Sequence, residues 1–115
     1  MSEEVILSHQ ETKQVYIFSI SNWISDGEFQ TQRLQMKLQK QLTNIGYSVD
    51  VHMYSASKIE TLAPKADIIL LTPEYSFALT QLQQAFPSKP IVTVNKQDYG
   101  LLNMSSIVAS LNKFL

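Results

Sequence analysis

A chain of 115 residues fits one domain able to bury roughly two-thirds of its unfolded surface without cross-links. Ten acids against nine bases leave a net charge of −1, which excludes the basic field that nonspecific nucleic-acid binding requires. The absence of cysteine excludes disulfides, thiolate metal sites and a cysteine nucleophile, and it suits a reducing cytosol.

Residues 1–13 are polar apart from Val5-Ile6-Leu7 and read as an N-terminal extension, with residues 14–115 forming the domain. The extension carries acids where a signal peptide would carry bases, and no segment approaches a membrane span, so a cytoplasmic location without membrane insertion is expected. Val15–Phe18 is the first strand. Ser19–Ser25 is a loop, and Ser25-Asp26-Gly27-Glu28 fits a capping box that opens a helix. Leu34, Leu38, Leu42 and Ile45 then form one helical stripe, which Gly46 ends. Tyr47–Met53 alternates and reads as an edge strand. Ser57 caps a short helix, Lys58–Ala63, closed by Pro64.

Asp67–Leu71 is the third strand, apolar without interruption and therefore buried on both faces. Helix Glu74–Phe86 turns Ala78, Leu79, Leu82 and Phe86 inward, and Pro90–Val94 is the fourth strand. This β-α-β unit makes the pair parallel, which directs the search for chemistry to the carboxyl ends of the strands. A loop through Asp98-Tyr99-Gly100, with Gly100 supplying positive φ, leads to a last helix over Ser105–Phe114. Its inner residues are Ile107, Val108, Leu111 and Phe114 or Leu115. The fold class is α/β, with four parallel strands alternating with helices in a single domain.

The run A-D-I-I-L-L-x-P-E-Y, then F-P-S-K-P-I-V-x-V, then Y-G resembles the IIB component of the lactose/cellobiose branch of the bacterial sugar phosphotransferase system. In that family the segment reads N-A-D-V-V-L-L-G-P-Q, then L-P-N-K-P-V-x-V-I, then Y-G, and Val15–Phe18 matches its first strand, I-Y-L-F. The resemblance implies a three-layer domain whose sheet runs in the order 2-1-3-4, with helices on both faces. It also implies a phosphoryl group received from a phosphohistidine on a IIA partner, held on a cysteine directly after strand one, and passed to a sugar in a membrane IIC permease. The family's loop there is C-S-A-G-M-S-T-S. This chain has Ser19 at the cysteine's position, followed by Ile20, Ser21, Asn22, Trp23, Ile24 and Ser25. Because the loop differs throughout, divergence accounts for Ser19 better than a single engineered exchange.

A loop of this kind aims backbone N–H groups at phosphate oxygens at a positive helix end. Cysteine suits the transfer because its pKa of about 8.5 falls further at a helix N-terminus. A serine hydroxyl stays protonated and needs an adjacent base, so Ser19 predicts impaired transfer. The phosphate-binding loop is then Ile20–Ser25, with Pro73, Glu74, Asp98, Tyr99 and Gly100 as its rim.

Each other candidate has a plainer structural explanation. Asp26 is a favourable first-turn acid, and Ser21 and Ser25 are a turn residue and a helix cap. Trp23 either covers the pocket or is an ordinary half-buried loop aromatic. Arg33, Lys37 and Lys40 form a basic stripe that reads as a solvated face. His9 and His52 lack a second ligand at metal spacing, so neither metal nor cofactor is expected. A second reading keeps the fold and drops the transfer, as a regulatory or interaction domain of a sugar-responsive transcriptional regulator, for which a homodimer is the expected assembly. A receiver domain is excluded because Ser19 and Asn22 stand where its acids would be required.

Overall fold

A strand that is apolar on both faces has one stable place in a sheet, its centre, and this chain has two such strands. The computed structural model describes residues 12–20 and 26–115. In it β1 (Lys13–Ser19) and β3 (Ile68–Leu71) lie side by side, with Val15–Phe18 and all of β3 buried. The flanking strands are β2 (Val49–Ser55) beside β1 and β4 (Ile91–Thr93) beside β3. Every pairing is parallel, and the order is β2-β1-β3-β4, as the resemblance implied.

The helices fill both sides of that sheet. They are α1 (Asp26–Ile45), α2 (Ile59–Leu62), α3 (Leu79–Ala85), α4 (Lys96–Leu101) and α5 (Met104–Leu111). Alternation along the strands puts Val15, Ile17, Ile68 and Leu70 on one face. They meet Leu34, Leu38 and Leu42 of α1 and Ile107, Val108 and Leu111 of α5. Tyr16, Phe18, Ile69 and Leu71 face the other way, against Ile59, Ala63, Ala78 and Leu82. The result is a single three-layer α/β domain.

The end of α1 follows from Gly46, whose φ of 112° only glycine adopts cheaply. Gly46 N–H donates to Thr43 O at 3.0 Å and Tyr47 N–H to Leu42 O at 3.0 Å, which satisfies two terminal carbonyls in a Schellman arrangement. Ile45 departs from the expected stripe, being 51% exposed. Its azimuth is right, but a 20-residue helix is about 30 Å long and a seven-residue strand about 23 Å, so the helix outruns the sheet beneath it.

Other boundaries moved for local reasons. The second strand begins two residues later than expected, a shift that leaves every side chain on its assigned face. Lys13 belongs to β1, because its N–H donates to Ser48 O at 3.0 Å. The segment expected as one helix from Glu74 opens as a 3₁₀ stretch, Pro73–Ala78, before α3. Residues 98–100 are helical rather than a loop. Asn95 caps α4, its side-chain oxygen accepting from Asp98 N–H at 2.8 Å, and the positive φ falls on Leu102 (51°) instead of Gly100. The expectations placed on Val5–Leu7 and His9 lie outside the described residues.

Because Leu38 is fully buried between α1 and the sheet, Leu38→Ala is expected to lower stability by about 2–5 kcal/mol. Urea unfolding of both proteins checks this; a loss below about 1 kcal/mol would contradict the packing described.

Candidate functional site at the carboxyl rim

In a parallel sheet covered on both faces, the strand ends are where side chains escape the core, so the site is built outward from the end of β1. Ser19 is the last residue of that strand and is 5% exposed. It pairs in register with Ser55 of β2. Alternation sets it on the face of Val15 and Ile17, the α1 side. Thr72, one residue beyond the Phe18–Leu71 pair, is fully buried at the same level. Its N–H and its hydroxyl both donate to Phe18 O, at 3.2 and 3.4 Å. The backbone just before Ser19 is thereby tied to the end of β3.

Ile20 follows, 43% exposed. Ser21, Asn22, Trp23, Ile24 and Ser25 lie outside the described residues. The chain resumes as α1 at Asp26, so the helix that covers Ser19's face begins a few residues after it. The N–H groups at a helix start favour negative charge.

The expected rim residues separate into two groups. Pro73 and Glu74 leave directly from Thr72, Pro73 half-buried and Glu74 exposed. Tyr99 is buried, and its hydroxyl lies 2.7 Å from Thr31 Oγ1 of α1. Gln30 Nε2 donates to Tyr99 O at 2.7 Å and to Gly100 O at 3.3 Å. Tyr99 and Gly100 thus hold the first turns of α1, Tyr99 buried and Gly100 exposed. Asp98 is committed elsewhere: its carboxylate accepts from Ser106 Oγ at 2.7 Å and from Asn103 Nδ2 at 3.4 Å, joining α4 to α5.

Burial pushes the Tyr99 hydroxyl above the usual tyrosine value; the bond to Thr31 lowers it, and the Glu74 carboxylate raises it. The last effect brings Glu74 and Tyr99 into one electrostatic neighbourhood. Tyr16 and Tyr75 are raised too, chiefly by burial.

His52 pairs in register with Tyr16, three residues before the Ser19 row and about 10 Å back along the strand, with its ring edge-on to Tyr16 at 5.6 Å. It is remote from the rim. Arg33, Lys37 and Lys40 are all exposed, as a solvated stripe requires. Among the described residues no group of three His, Asp or Glu side chains converges as metal ligands would.

Sequence reasoning missed Thr72, Thr31 and Gln30. Thr72 carried a signal, a hydroxyl residue closing the apolar run before Pro73. Thr31 carried another, lying one turn before Leu34 on the stripe that faces the core.

A parallel sheet in the order 2-1-3-4, doubly covered, with a hydroxyl at the carboxyl end of its first strand, defines a small α/β domain with a rim site. Residues 29–110 match the model of the lactose/cellobiose-specific IIB subunit of the phosphotransferase system, and the chain belongs to that family. That match begins after β1 and Ser19. Among solved structures, the chain is similar to the lactose-specific IIB component domain from Streptococcus pneumoniae. The TM-score is 0.70 at 11% identity, covering 87% of this chain and 98% of that one. It is also similar to the cellobiose-specific phosphotransferase IIB component from Borrelia burgdorferi. There the TM-score is 0.61 at 16% identity, covering 90% and 94%. IIB domains of this system act as phosphotransferases and work with IIA and IIC partners. Among the described residues no helix is long and apolar enough to cross a membrane.

The raised tyrosines carry a pH dependence. Each binds its proton more tightly folded than unfolded, so above the usual value of 10.0 the unfolded chain ionises first. Stability is full below that pH and falls as pH rises past it. Tyr99→Phe is expected to cost about 1 kcal/mol at neutral pH, through the lost bond to Thr31, and to flatten the alkaline loss. Urea unfolding at pH of about 8 and about 10.5 checks both signs.

Proposed function

We propose that this chain is a cytoplasmic IIB-like component of a sugar phosphotransferase system. Ser19 holds the phosphoacceptor position, and the loop Ile20–Ser25 is its phosphate cradle. The observation that carries this reading is the place of Ser19, at the carboxyl end of a central strand and on the face covered by α1, in a chain of the IIB family. In the transfer step, the residue-19 heteroatom would form a bond to phosphorus while the bond from phosphorus to the donor histidine breaks. The heteroatom's proton would leave with the displaced imidazole or an adjacent base. A thiolate needs no such base. A serine hydroxyl does, which supports impaired transfer.

The same oxygen favours a second reading, in which the domain keeps the partner surface and regulates or docks without transferring. Both readings use the carboxyl rim for docking. Four exposed large apolar side chains stand on segments leaving that rim: Ile20 after β1, Phe29 in the first turn of α1, Phe77 (76% exposed) after β3, and Leu101 (71% exposed) after β4. Exposed apolar residues on several segments that leave one rim support a protein partner there.

Incubation with a phosphorylated IIA protein of the lactose/cellobiose type, followed by intact mass, separates the readings. The chain is expected to gain no stable phosphoryl group, and Ser19→Cys is expected to gain one on Cys. Phosphorylation of the unaltered chain at Ser19 would overturn the impairment. Failure of the cysteine variant, with its fold intact, would overturn the assignment of position 19. A binding titration with the same partner is expected to weaken about tenfold on Phe77→Ala and on Leu101→Ala, and to be unchanged on Met36→Ala, which lies in the middle of α1.

A further inference from the structure

Any open sheet has two edges whose outward N–H and C=O groups invite another strand. In this domain they are treated differently. The β4 edge is three residues long and entered from Pro90, too short to template a partner. The β2 edge is seven residues long.

Lys13 N–H donates to Ser48 O, so the even-numbered residues of this segment turn their backbone groups to β1, and the odd-numbered ones, Val49, Val51, Met53 and Ser55, turn theirs outward. Three of the outward groups at Val49 and Val51 are occupied. Gln39 Nε2 donates to Val49 O at 2.9 Å, and its Oε1 accepts from Val51 N–H at 2.7 Å. Gln35 Nε2 donates to Val51 O at 2.8 Å. Two glutamines one turn apart on α1 therefore reproduce the hydrogen-bond pattern of a neighbouring strand. A carboxamide suits the task because it holds a donor and an acceptor side by side at one end of the side chain. All three bonds are good geometrically, and both side chains are half-buried.

We infer that Gln35 and Gln39 act as a side-chain substitute for an edge strand along Val49–Val51, blocking strand addition at the start of β2 and keeping the sheet from pairing there with a second copy of this chain. The arrangement is independent of the transfer reading and holds whether or not Ser19 carries phosphate. It runs against a homodimer built through the sheet, and leaves the carboxyl rim as the surface for partners.

The test compares the unaltered chain with the Gln35→Ala/Gln39→Ala variant by light scattering across a concentration series and by amide exchange at Val51. The unaltered chain is expected to stay monomeric with Val51 protected at every concentration. In the variant, Val51 exchange at low concentration is expected to rise about tenfold. Its mass should grow with concentration as Val51 becomes protected again. A variant that stays monomeric while its β1 and β3 amides remain protected would overturn the inference. So would an unaltered chain that dimerises with Val51 protection rising alongside. Should the double variant lose its β1 and β3 protection, Gln39→Ala alone, which frees Val51 N–H and Val49 O, decides by the same two readings.

Discussion

Burial of β1 and β3 on both faces is the constraint from which the rest of this molecule follows. Two strands without a polar face require a covering layer on each side. Parallel pairing supplies it, because every connection must cross over the sheet. The only direction left for functional groups is along the strands. Ser19 and Thr72 stand where β1 and β3 run out of core, and both are buried polar residues. The position of the candidate site is thus a consequence of packing, set before any chemistry at residue 19 is considered.

The framework around that position is also independent of the residue that fills it. Thr72 fastens the backbone before Ser19 to β3, while Tyr99, Thr31 and Gln30 fasten α4 to the start of α1. Neither set of bonds uses the Ser19 side chain. A sulfur nucleophile could therefore give way to an oxygen with little effect on folding, while the transfer chemistry changes greatly. On the proposed reading, scaffold and reactivity have separated: the family's architecture persists, and a hydroxyl that stays protonated near neutral pH occupies the reactive position.

Strong periodic segments were legible in the sequence. The β1 and β3 runs, the Leu34/Leu38/Leu42 stripe, the Gly46 stop and the edge character of β2 all stand as read, because each expresses burial on a fixed period. Where local chemistry was ambiguous, the reading failed. Asp98-Tyr99-Gly100 has turn-forming residues at both ends, yet Asn95 caps it into a helix and Tyr99 is drawn inward by Thr31. Asp98, read as a rim acid, also accepts from Ser106 and Asn103, bonds that the sequence did not announce. Ties such as Gln30 to Tyr99, or Gln39 to Val51, join residues far apart along the chain or on different elements, and no single-sequence period records them.

On the proposed reading, one side edge is covered in part by glutamine side chains and the segments leaving the carboxyl rim carry exposed apolar side chains, and the account predicts which of them meets a partner. The most direct measurement is an amide chemical-shift map of the isotopically labelled chain during titration with a IIA protein of the lactose/cellobiose type. The account predicts shifts concentrated at Ile20, Phe77, Leu101 and the first turns of α1. Shifts concentrated instead at the opposite end of the sheet, around Thr12, Gly46 and Ser48, would contradict it.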